Sequence, residues 1–150
     1  MGSIYLNALI VVYGLVRIKK LLQVFKTAEK AWQAPASKIL QLDFNGESIR
    51  EALAKREKID PKTEWAKLEK LNIKTISFFE KSYPKLLKEI SYPPILLYLR
   101  GNADLLKEKS VGVVGTRTPS SYGRAAVDML VPQLVESGLV VVSGLAQGID

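Results

Sequence analysis

Two short stretches hold the residues best suited to chemistry. Residues 111–123 read VGVVGTRTPSSYG and residues 143–150 read SGLAQGID. Each follows directly on a short apolar run and breaks into small, hydroxyl-bearing and glycine residues. In the first, Gly115 lets the backbone approach a ligand closely, and Arg117 offers a planar fork of donors matched to phosphate oxygens. Either Ser120 or Ser121 can cap a following helix. The second supplies Ser143, Gly144 and Gly148. Backbone N–H groups, hydroxyls and one guanidinium are the equipment of an anion site rather than of proton transfer. The same glycines and serines also suit the turns and caps that any strand–helix–strand unit needs, and the residue types alone leave both readings open.

Other chemistries are narrowed by what is missing. The chain has neither cysteine nor histidine, so disulfides, thiolate or imidazole metal sites, and Cys- or His-based catalysis are excluded. Asp150 is the only carboxylate in the two stretches, a thin basis for general acid–base work, and an aspartate after Gly-Ile also suits a helix cap. Gly112 and Gly115 do not complete G-x-G-x-x-G, no acidic residue closes the second strand, and no G-K-[ST] follows a glycine-rich loop. The expectation is no catalytic residue, no metal and no cofactor. A net charge of +7 favours a polyanionic partner, although lysines also simply keep a surface soluble.

The elements around these stretches follow from periodicity. VGVVG predicts a strand, RAAVDMLVPQLVES a helix, Gly138 its stop, and LVVVSG a second strand. Continuous apolar runs suit strands buried on both faces, and the order demands a parallel pair with a right-handed crossover. Both loops then lie at the carboxyl ends of adjacent strands, where the crossover helix points free N–H groups at a ligand. Pro132 predicts a bend near Asp128. Upstream, residues 15–26 carry helical spacing (Leu15, Ile18, Leu21, Leu22, Phe25), as do SIREALAKREK and PKTEWAKLEKLN, the latter with Pro61 in its first turn. Residues 4–16 are the most hydrophobic segment, too short to span a bilayer and read as a buried helix. From Ile73 the pattern turns to short β-rich runs, IKTISFF and ILLYL, separated by SYPKLLKEISYPP. The predicted division is a helical domain over 1–71 and an α/β domain over 72–150.

The combination of VGVVGTR, SSYG and VVSGLAQGID, preceded by YPKLLKEISYPPILLYLRGN, resembles the bacterial DNA-processing protein A family (DprA, also called Smf). The resemblance implies an α/β fold: a helical accessory domain of the SAM or helix-hairpin-helix kind, then the first part of a Rossmann-like parallel sheet. It places the family's G-[ST]-R motif on Gly115, Thr116 and Arg117, and its S-x-Y-G on Ser120, Tyr122 and Gly123. Its S-G-x-A-x-G-I-D falls on Ser143, Gly144, Ala146, Gly148, Ile149 and Asp150. These loops line the family's basic pocket for a DNA backbone, and Gln147 stands where arginine is more usual. In VVYGLVRIKKLL, Val12 replaces the first glycine of a G-x-G hairpin and Gly14 remains. Lys19 and Lys20 leave two readings, contact with phosphates or the solvated face of a helix, the second being the commoner use of such lysines.

What the resemblance implies is a non-enzymatic, cytoplasmic protein that binds and protects single-stranded DNA during natural transformation and helps load RecA. Tyr122 is the candidate for stacking on a base. The implied partners are single-stranded DNA and RecA, with a homodimer left open and no membrane. The family's domain continues beyond the G-I-D motif, so the chain reads as truncated on that side, with its RecA and dimer contacts expected largely past Asp150. Two other classes remain: an enzyme acting on a nucleotide or nucleoside phosphate, and a protein-interaction fragment.

Overall fold

The computed structural model describes residues 2–42, 44 and 46–150. The chain forms two compact units, Met1–Gly101 and Asn102–Asp150.

The first unit is built on α1 (Gly2–Phe25). Its buried residues Leu6, Leu9, Val12 and Tyr13, then Ile18 and Leu21, keep helical spacing on each side of Gly14. There the backbone leaves the helix, at φ 71° and ψ 167°, a conformation that a residue without Cβ adopts cheaply. Basic side chains satisfy the carbonyls this break exposes: Lys55 donates to the Val11 oxygen (2.7 Å) and Arg17 to that of Tyr13 (3.2 Å). Four shorter helices follow: α2 (Ala28–Gln33), α3 (Ala36–Leu40), α4 (Gly46–Glu57) and α5 (Pro61–Lys70). Thr27 caps α2 and Asp60 caps α5, the Asp60 carboxylate accepting from the Thr63 N–H at 2.8 Å. Arg56 on α4 donates to the carbonyls of Trp32 and Ala34, so α4 secures the end of α2. Ala31, Ile39, Ile49, Ala52 and Leu53 complete the core around α1.

The run of helices α1–α5 ends at Lys70, and β1 (Lys74–Ser77) begins the change of element type expected near residue 72. That change lies inside the first unit. β1 pairs antiparallel with β2 (Leu96–Leu99), in register Lys74↔Leu99 to Ser77↔Leu96, and the link between them holds the short α6 (Lys85–Lys88). These strands form a sheet of their own and do not join the parallel one. The physical reason is the connection: an antiparallel pair tolerates the proline-marked link, whereas a parallel pair needs a full crossover. Tyr83 anchors the link by donating to the Pro94 carbonyl at 2.7 Å. β2 reaches the core through Leu96 and through the Tyr98 hydroxyl, which donates to the Asn7 side-chain oxygen at 2.7 Å.

The second unit opens with a 3₁₀ turn (Ala103–Lys107), then β3 (Ser110–Gly112), α7 (Ser121–Glu136) and β4 (Val140–Val142). The strands are parallel, with Ser110↔Val140, Val111↔Val141 and Gly112↔Val142 paired; this is the strand–helix–strand unit read from the sequence. α7 contains Pro132. Burial on both strand faces is not observed: β3 and β4 are only partly covered, and among the described residues 102–150 include no buried side chain. A two-stranded sheet with one helix lacks the second layer that would close its other face. Among the described residues no helix is long and apolar enough to cross a membrane.

Candidate functional site

The ends of β3 and β4 bring the two loops together. Strand pairing extends one step past Gly112, where the Val113 N–H donates to the Val142 carbonyl at 2.9 Å, so the chains leave the sheet side by side. The first loop is shaped by its own hydroxyls. Thr116 accepts from the Thr118 N–H at 3.2 Å, and Ser120, rather than Ser121, caps α7 by accepting from the Gly123 N–H at 3.2 Å.

Two hydrogen bonds join the loops: the Gly115 N–H donates to Asp150 Oδ1 (2.9 Å) and the Ile149 N–H to the Thr116 carbonyl (3.1 Å). A third closes the second loop on itself, the Ser143 hydroxyl donating to the Asp150 carbonyl (2.8 Å). The glycines make this approach sterically feasible. A Cβ on Gly115 would lie 2.6 Å from the Ile149 Cβ, and one on Gly144 would lie 2.8 Å from Asp150 Oδ2. Gly148 has a φ of 110°, and a Cβ there would run into the Thr116 carbonyl and sit 2.6 Å from the Arg117 Cα. The close approach at Gly115 and Gly148 is therefore that of one loop to the other.

Around this interlock, several groups are left to solvent. Arg117 is exposed, and among the described residues its guanidinium has no carboxylate or other hydrogen-bond partner. Tyr122, in the first turn of α7, is 82% exposed. Gln147 is exposed as well. Among the described residues, the N–H groups of Thr116, Arg117 and residues 144–147 donate no hydrogen bond, whereas those of Gly115, Thr118, Gly123 and Ile149 are occupied within the loops. The arrangement offers a guanidinium, free amides and the start of a helix on one rim. The Asp150 carboxylate already holds the Gly115 amide, as a bound anion would.

The two loops lie side by side, as the strand–helix–strand order predicts; the tie made by Ile149 and Asp150 does not follow from that order. An acid closing a glycine-rich loop was a visible signal; which amide it would reach was not, because that depends on how far apart the strand ends lie. Leu145 was also unforeseen: it takes a left-handed φ of 53° and is 92% exposed at the tip of the second loop.

The model of the family described as DNA recombination-mediator protein A matches residues 74–150. The chain belongs to this family. It is 46% identical to the DNA processing protein DprA of Bacillus subtilis (strain 168) over 79 residues, covering 52% of this chain and 27% of that protein. To the Protein Smf of Synechocystis sp. it is 33% identical over 142 residues, 91% of this chain and 36% of the relative. The X-ray structure of DNA processing protein A (DprA) from Streptococcus pneumoniae superimposes with a TM-score of 0.70 at 31% identity, covering 98% of this chain and 50% of that one. The chain thus spans 27–36% of the length of these curated relatives. Its α/β fold, a helical amino-terminal portion followed by a small parallel sheet, is that of the DprA structure over the matched region.

Proposed function

We propose that the rim formed by the two loops binds the sugar–phosphate backbone of single-stranded DNA without strong sequence preference. One observation supports this above others: Arg117 stands exposed beside the interlocked loops with no carboxylate to neutralise it. A guanidinium held this way, next to free amides, suits a phosphate better than a neutral ligand. Tyr122, exposed in the first turn of α7, supplies the ring for stacking on a base, since every base presents a π-face. Gly115 and Gly148 serve the rim by letting the loops meet, and Gly144 by leaving room for the Asp150 carboxylate; Thr116, Ser120, Gly123 and Ser143 hold their shape. Gln147 adds a neutral donor.

The role is that of a binding protein in DNA processing. The relatives named DprA, DNA processing protein, support this class of function, and the family resemblance extends it to protection of incoming strands in transformation, RecA loading and a cytoplasmic setting. RecA and a second copy of the chain are the protein partners that go with that reading. An enzyme acting on nucleotides would call on Asp150, whose Oδ1 is already engaged by the Gly115 N–H.

The test is a fluorescence anisotropy titration of labelled oligonucleotides at several salt concentrations. Affinity should fall steeply with salt. Arg117→Ala should weaken binding to all sequences alike and make the logarithmic salt slope shallower by about 0.7, the share of one phosphate contact on a single strand. Binding indifferent both to salt and to Arg117 would overturn the proposal.

A further inference from the structure

The first unit carries a groove that the rim does not use. Phe79, just past β1, stands in it with 70% of its surface exposed, and two cavities share its side chain in their lining. One, of about 370 Å³, is lined by Lys19, Leu22, Lys26, Phe78 and Pro93 among others. The other, of about 390 Å³, shares Leu22, Lys26 and Phe79 with it and adds Leu6, Thr27 and Glu80. Both volumes fall within the ~300–1,000 Å³ of ordinary ligand sites. The Phe79 ring is braced, not loose: Phe78 meets it edge-on with centroids 5.7 Å apart, and Tyr83 backs Phe78 at 5.4 Å.

The charge around the ring is positive. Lys19 Nζ lies 5.2 Å from the ring centroid of Tyr92, itself 84% exposed. Among the described residues neither Lys19 nor Lys26 has a carboxylate partner. Glu80, the acid lining the second cavity, is turned to its own loop, accepting from the Ser77 N–H at 2.9 Å and from the Ser82 hydroxyl at 3.4 Å. Lys26 closes α1 with a left-handed φ of 69°, a place where glycine is usual and a side chain carries strain. Lys26 lines both cavities.

We propose that this groove is a second contact for single-stranded DNA, in which Phe79 stacks on an unpaired base while Lys19 and Lys26 take the adjoining phosphates. An exposed aromatic face flanked by cations without carboxylate partners is the combination that single strands reward, and an uncharged partner would leave those charges unanswered. The ligand is the one proposed for the rim, but the residues are different and separately testable.

The experiment measures binding of an oligothymidylate carrying one 2-aminopurine to the full chain and to Phe79→Ala, Lys26→Gly and Arg117→Ala. Phe79→Ala should lower affinity about tenfold and lose the fluorescence quenching that stacking on the ring produces. Lys26→Gly should raise the thermal midpoint, because the left-handed strain is relieved, yet weaken binding and reduce the salt slope by about 0.7. A merely structural lysine would show the first effect without the second. If Phe79→Ala and Lys26→Gly bind like the parent while Arg117→Ala is weakened, the groove proposal fails and the rim stands. If the groove variants are weakened and Arg117→Ala is not, the reverse holds. No binding by the parent chain overturns both.

Discussion

Tyr13 shows how much one side chain can depend on its surroundings. It is buried in the core at the end of the first half of α1, and among the described residues its hydroxyl has no hydrogen-bond partner. Burial pushes its phenol above the ordinary value, with Arg56 nearby opposing part of the effect; two carbonyls take donors of that guanidinium. Burial likewise raises Tyr98. A phenol raised on folding favours the neutral form, so its contribution is intact below the unfolded value near 10 and is lost as pH rises through the folded one. Urea midpoints should therefore fall above about pH 10. Tyr13→Phe should flatten that fall and, by removing an unpaired buried hydroxyl, raise stability at neutral pH by about 1 kcal/mol. A loss of stability in Tyr13→Phe at pH 7 would show that the oxygen is satisfied after all. Side chains of this kind were hidden from the sequence: helical spacing buries Tyr13 correctly, but which polar groups reach its oxygen depends on α4. Arg117 stands at the opposite extreme, an exposed arginine in a turn after a strand, with few neighbours to engage it.

At the scale of elements, the parallel pair β3–β4 and the crossover α7 were readable because continuous apolar runs, a helical period and Gly138 all agree on one topology. The antiparallel pairing of β1 with β2 was not, because two apolar runs and a proline-marked link do not say which sheet they join. Gly14 sits between these cases: the family resemblance marks it as a hairpin glycine, and the backbone shows a break in α1 there with helix on either side. The interlock of the loops is an element-level property too, made by strand ends that bring Gly148 against the Thr116 carbonyl. Gly148→Ala adds a methyl group where backbone already lies and where φ is 110°, so the loops must separate. The expected cost is about 2 kcal/mol or more. It should appear as lost exchange protection of the Ile149 amide, which donates to Thr116, with the helices of the first unit unaffected. An Ile149 amide as protected in Gly148→Ala as in the parent would contradict the interlock.

Across the whole molecule, burial is divided unequally between the units. The fully buried side chains, Leu9, Tyr13, Ile18, Leu21, Ile39 and Ile49 foremost, lie in Met1–Gly101. In Asn102–Asp150, by contrast, Val114, Tyr122, Met129, Leu130, Val135 and Leu145 are exposed. Hydrophobic burial is the main term opposing chain entropy, so cooperative stability should follow the first unit, while the second opens at lower free energy. Hydrogen exchange read by mass spectrometry on the intact chain measures this directly. Amides of α1 and α4 should exchange only through global unfolding, and those of β3, α7 and β4 through sub-global opening whose rate is insensitive to mutations in the α1 core. Saturating oligonucleotide should slow exchange in the loops and the first turn of α7, because a ligand that binds only the closed unit adds its binding free energy to closure. Exchange in α7 as slow as in α1 without DNA would refute the division. Slow exchange only with DNA would mean that binding and the folding of the second unit are one equilibrium, and then the weak burial of that unit would be the source of its dependence on the ligand.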